Sequence, residues 1–94
     1  MSVLEKVKAR ARKLEIGDTI LLSTRKNKRF KFLTPENKWI HFGDKTANTF
    51  LDHGDKKRRA SYLARAKGIK NKNGEYTYKI KYTPNYLSYH LLWL

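Results

Sequence analysis

The sequence predicts an α+β domain: a small antiparallel sheet of about four strands, an N-terminal amphipathic helix, a central helix and a short C-terminal helical turn. Three observations carry the prediction. Apolar side chains recur at helical spacing near the N-terminus, residues 18–42 fall into short β-rich runs separated by polar turns, and residues 75–82 alternate strictly between aromatic or aliphatic and polar side chains. Ninety-four residues make one small domain, 1–94, with the first helix over 1–16 and the sheet, central helix and C-terminal turn over 18–94.

The first helix opens on Ser2 and Glu5, the spacing of a capping box, and Val3, Val7, Ala11 and Leu14 form its apolar stripe. Gly17 is expected to stop it. Lys6, Lys8, Arg10, Arg12 and Lys13 lie away from the stripe, as on a lid helix with a solvated outer face. Asp18–Thr24 and Arg29–Thr34 read as a hairpin around the polar turn Arg25-Lys26-Asn27-Lys28. Pro35-Glu36-Asn37-Lys38 then turns the chain into a third strand, Trp39–Phe42, ending at Gly43. Asp44–Leu51 has no clear period and reads as a loop that packs Phe50 inward.

A central helix is expected from about His53 to Lys67, its stripe holding Tyr62, Leu63 and Ala66. On that stripe Asp55 and Arg59 lie one turn apart, so Arg59 should face the protein and pair with Asp55. Asp55, Arg59 and Tyr62 are therefore structural candidates. Gly68 closes the helix, and Tyr76, Tyr78, Ile80 and Tyr82 alternate with Thr77, Lys79 and Lys81 as a fourth strand. Thr83-Pro84 reads as an N-cap followed by proline at the first helical position. Leu91, Leu92, Trp93 and Leu94 should be buried in the domain or docked against a partner, which leaves a homo-oligomer open.

Charge is the strongest compositional signal. Twenty-two Lys and Arg face eight acids, a formal +14, and self-repulsion of that size is relieved by an anionic partner. Three clusters stand out: Arg10, Arg12 and Lys13 on the first helix; Arg25, Lys26, Lys28 and Arg29 at the hairpin tip; and Lys56, Lys57, Arg58, Arg65 and Lys67 on the central helix. Four consecutive cations in a first helical turn oppose the helix dipole by roughly 0.3–1 kcal/mol each, so that end, with its backbone N–H groups, should welcome phosphates.

Other chemistries have little support. Without cysteine there is no disulfide, Cys-based zinc site or thiol nucleophile. No Walker loop or Gly-rich dinucleotide fingerprint is present, so no cofactor is expected, and no metal site: His41, His53 and His90 match no metal-ligand spacing. No secretory signal or membrane span is expected.

The ordered series His41-Phe42-Gly43, Asp52-His53-Gly54-Asp55, Arg58-Arg59, Tyr62, Arg65, Thr83-Pro84, Leu87-Ser88 and Leu91-Leu92-Trp93 resembles a family of small basic proteins of unassigned function from large DNA viruses of eukaryotes. The resemblance covers roughly Arg29 to Trp93. It implies a viral setting, inside the host cell at the assembly site or in the nucleus, or packaged in the virion, and not secreted.

Taken with the charge, the expectation is a non-catalytic virion-associated protein that binds nucleic acid, DNA in preference to RNA, through phosphates and without sequence readout. The alternative is a minor capsid or assembly protein cementing larger, acidic capsid subunits through its apolar C-terminus. A third reading is a small metal-dependent nuclease built on His53 and its neighbouring acids.

Overall fold

In the computed structural model, which describes residues 2–45 and 49–94, α1 spans Val3–Lys13 and starts as its sequence predicts, with Ser2 Oγ accepting the Glu5 N–H at 3.2 Å. It stops earlier than Gly17. Glu15 takes a left-handed conformation (φ 59°), its N–H bonds Arg12 O, and Ile16 N–H reaches back to Ala11 O. That pairing is a Schellman termination with glutamate where glycine is usual, and burial of Ile16 supplies the accompanying apolar contact.

Three strands follow: β1 (Ile20–Leu22), β2 (Lys28–Leu33) and β3 (Trp39–Asp44), an antiparallel meander in the order β1-β2-β3. Pro35 occupies the first central position of the second turn, closed by Asn37 N–H to Thr34 O at 2.9 Å. The pairs Ile20↔Phe32, Phe30↔Phe42 and Phe32↔Ile40 set one face. On it Ile20, Phe30, Phe32 and Phe42 are fully buried, against Val7 and Ala11 of α1 and against Tyr86, Leu87, Leu91 and Leu92.

The sheet has three strands and not four. Residues 75–82 form no strand: Lys70 and Tyr76 make an isolated bridge, Thr77–Lys79 wind into a 3₁₀ turn, and Tyr82 is left-handed (φ 70°). The alternating side chains serve separate contacts. Tyr78 packs on Tyr89 and Tyr82 stacks on Phe32, whereas Tyr76 is exposed.

The predicted central helix is α3 (Lys56–Lys67), starting three residues later than expected, and a separate short helix, α2 (Phe50–His53), precedes it across left-handed Gly54 (φ 64°). Of the predicted loop 44–51, residues 46–48 lie outside the described set; Phe50 already begins α2, and Leu51 rather than Phe50 packs on the core. Thr83 caps α4 (Pro84–Leu87), its Oγ accepting the Tyr86 N–H at 3.1 Å, with proline at the helix start as predicted. The turn then runs on as a π-helical segment, Ser88–Trp93, ending with Leu94 N–H bonded to Tyr89 O.

The C-terminal run is thus buried inside its own domain. Leu91 and Leu92 are core residues, unavailable for docking, and only Leu94 is substantially exposed. Gly43 is where the run meets the sheet. Its φ is 81°, and a Cβ there would sit 3.1 Å from Leu92 Cδ1. Gly43→Ala should therefore lower stability by about 1–3 kcal/mol, combining left-handed strain with overpacking. A denaturant midpoint equal to wild type would show that Leu92 yields without cost.

Candidate nucleic-acid interface

Between α3, the β2 and β3 ends and the π segment lies an open cleft of about 960 Å³. Lys57, Arg58 and Arg65 line it from α3 and Lys28 from β2, while Tyr62, Ser88 and Trp93 contribute to its walls. Positions 58, 62 and 65 fall on one helical line, as do 57, 61 and 65, which explains why one face of α3 presents them together. Asp44 and Asp55 also line the cleft, so four cations meet two carboxylates there.

Local chemistry fixes the α3 start. The Asp55 carboxylate caps it, Oδ1 accepting the Lys57 and Arg58 N–H groups at 3.0 and 3.2 Å. Two of the backbone donors that the sequence offers to phosphate are therefore occupied, and an anion here would be held chiefly by side chains. Asp55 has no ion pair with Arg59. Arg59 instead donates from Nε to Trp93 O at 3.0 Å and from Nη2 to the Leu94 backbone oxygen, with Phe50 beneath its guanidinium. Tyr62 stacks on Trp93 with ring centroids 4.3 Å apart. Burial pushes the Tyr62 phenol up, against the opposing effect of its hydrogen bond with Ser88.

The predicted cations divide into five groups. Lys28, Lys57, Arg58 and Arg65 converge on the cleft; Lys56 and Lys67 are exposed on α3 outside its lining, and Arg25 and Lys26 are exposed at the hairpin tip. Arg10 and Lys13 line a separate, smaller cleft of about 320 Å³ with His90 and Leu94. Arg12 and Arg29 are paired. Arg12 Nη1 lies 2.6 Å from Asp18 Oδ2 at an exposed position, and Arg29 grips Asp52 with two bonds of 2.7 and 2.8 Å. With side chains only 23% and 18% exposed, the second pair is a brace between β2 and α2 rather than a free charge.

His53, the centre of the nuclease reading, accepts the Asp55 N–H on Nδ1 at 2.8 Å, and its Nε2 is buried without a hydrogen-bond partner. A ring held that way has no open nitrogen for a metal or a substrate proton. Among the described residues no group of three or more His, Asp or Glu is placed to hold a metal ion, and no helix is long and apolar enough to cross a membrane.

The sequence did not point to Ser61, Ser88 or Gly43 as cleft residues. For Ser61 a signal existed, its position between Lys57 and Arg65; Ser88 and Gly43 arrive through tertiary packing. A family model matches residues 19–66, just over half of the 94, under the description of a family of unknown function, DUF5754. The matched span holds the sheet, α2, nearly all of α3 and the four cleft cations. No curated protein and no solved structure matches the chain.

Proposed function

The chain belongs to this family of unknown function, which brings no activity with it, and we propose that it is a non-catalytic nucleic-acid-binding protein acting through phosphate contacts without sequence readout. DNA is the favoured ligand, and the viral resemblance of its motifs suggests a virion or its assembly site as the setting. One observation carries the reading: Lys28, Lys57, Arg58 and Arg65 come from two separate elements to one open cleft in a chain of net charge +14. Phosphate contacts need only cations held on a shaped surface, and each contact releases a counterion.

The deciding experiment is binding to random-sequence duplex DNA across a salt series, with an acidic protein as competitor. Lys57→Ala combined with Arg58→Ala should flatten the slope of log affinity against log salt by nearly two units and leave thermal stability within about 0.5 kcal/mol. An unchanged slope would remove the cleft from the interface. Equal binding to the acidic protein would move the proposal to the capsid-cementing alternative. That alternative draws on Leu21 and Leu22, 46% and 65% exposed on edge strand β1, and no longer on the C-terminal run.

A further inference from the structure

The face of the sheet turned away from the core has no role in the cleft. Strand pairing places Leu21, Lys31 and His41 in one cross-strand row and Leu33 beside Trp39 in the next. By the two-residue period these side chains point opposite to Phe30, Phe32 and Phe42, and none of them is buried. Trp39 is 39% exposed, with Lys31 Nζ 4.5 Å from its ring centroid. Two residues apart on β3, Trp39 and His41 stand about 6.6 Å from each other.

His41 is oriented by Ser23. The serine hydroxyl accepts the Arg25 N–H at 3.0 Å and is hydrogen-bonded to His41 Nδ1 at 2.7 Å, which fixes the orientation of the imidazole. Burial, then the charges of Arg25, Lys31 and Lys28, hold the imidazole below its ordinary value. The patch therefore combines an exposed indole, an oriented imidazole and the cations Lys31 and Arg25, and its charge suits an anionic partner with flat, accessible rings.

We propose that this open sheet face is a second nucleic-acid surface, selective for single strands: Trp39 stacks an unpaired base, while Lys31, Arg25 and His41 hold the adjoining phosphates. Duplex bases are already stacked on one another and cannot use the indole, so Trp39 confers the preference for single strands. The surface is separate from the α3 face of the cleft and does not depend on the cleft's role.

The test is the affinity of the full chain for a random-sequence single-stranded oligonucleotide and for the same length as a hairpin duplex. Trp39→Ala should weaken single-strand binding by roughly tenfold and duplex binding by less than about twofold, and Trp39→Tyr should restore most of the loss. Lys31→Ala, on the face turned away from the core, should flatten the single-strand salt slope by about 0.7 and decides the matter if Trp39→Ala fails to fold. Single-strand affinity unchanged by both substitutions overturns the proposal, and so does an equal loss for duplex and single strand. Lys57→Ala with Arg58→Ala should leave the Trp39-dependent ratio intact. If wild type binds no duplex at all, the cleft reading falls, and the single-strand measurement still decides this one.

Discussion

Leu92→Ala should destabilise the protein by about 2–5 kcal/mol, lowering the melting temperature by roughly 10–30 °C. Leu92 is 1% exposed, sits in the core cluster with Leu91, Phe30 and Phe42, and lies against the one sheet position, Gly43, that has no side chain to fill the space left behind. A cavity there would collapse poorly, because the glycine's left-handed backbone is held between the paired residues Phe42 and Asp44. For a domain whose total stability is on the order of 5–15 kcal/mol, the loss approaches global unfolding at ordinary temperature. Leu94→Ala is the internal comparison. That side chain is 43% exposed, and its removal should change stability by about 0.5 kcal/mol or less. Thermal melts of both variants separate a core role from a docking role for the C-terminal run. Were Leu92→Ala to melt like wild type and yet fail to assemble with a partner, the packing described here would be wrong for that segment.

What the sequence makes legible here is chemistry confined to a few neighbouring residues. Ser2 with Glu5, Pro35 in its turn, and Thr83-Pro84 each act through bonds no more than four residues long, and each forms as its residues dictate. The alternation of residues 75–82 misleads because period two records only which side chains are apolar, not what lies beside them. Tyr78 and Tyr82 pack against Tyr89 and Phe32 from a folded-back chain, with Tyr82 in a left-handed conformation that tyrosine rarely adopts. Helical spacing likewise suggested Asp55 with Arg59, yet capping claims the aspartate and the C-terminal carbonyls claim the arginine. Gly54 between Asp52 and Asp55 did carry a signal for a break, since a left-handed glycine followed by a capping aspartate ends one helix and starts another.

The candidate site was half visible for the same reason. Its cations are plain in the sequence, and three of the four lie within one run of α3. Which cations remain free is a tertiary matter. Arg29 belongs to the hairpin cluster by position, but Asp52, 23 residues away, takes it out of play, whereas Lys28 next to it opens into the cleft. The sheet face bearing Trp39 and His41 was equally hidden, because exposure of one face depends on every helix packing on the other.

The Arg29–Asp52 pair should also govern how the protein responds to acid. Both Asp52 oxygens receive Arg29 donors, and Oδ2 further accepts the Thr49 N–H at 2.7 Å and the Thr49 hydroxyl at 2.8 Å, so one carboxylate both braces β2 and caps α2. These contacts, Arg29's hydrogen bonds first among them, hold the carboxyl far below the usual carboxylate range despite the opposing effect of burial. An unfolded aspartate titrates near ~3.9, so between that value and the lower folded one the unfolded chain binds the extra proton. The pair's contribution is therefore complete above about pH 5 and is lost progressively as the pH falls below it. Asp52→Asn should cost about 2–3 kcal/mol at pH 7, between the worth of an exposed pair and of a buried one. Its deficit against wild type should shrink steadily toward pH 2, because unfolding the wild-type chain then takes up a proton that the folded carboxylate does not bind. Adding Arg29→Ala to Asp52→Asn should cost less than the two single losses summed, since the guanidinium has already lost its counter-charge. Urea titrations of the four proteins at pH 7 and pH 3 measure both effects. A deficit for Asp52→Asn that stays constant from neutral to acid pH would place the stabilisation in the shape of the cap and not in the charge of the pair.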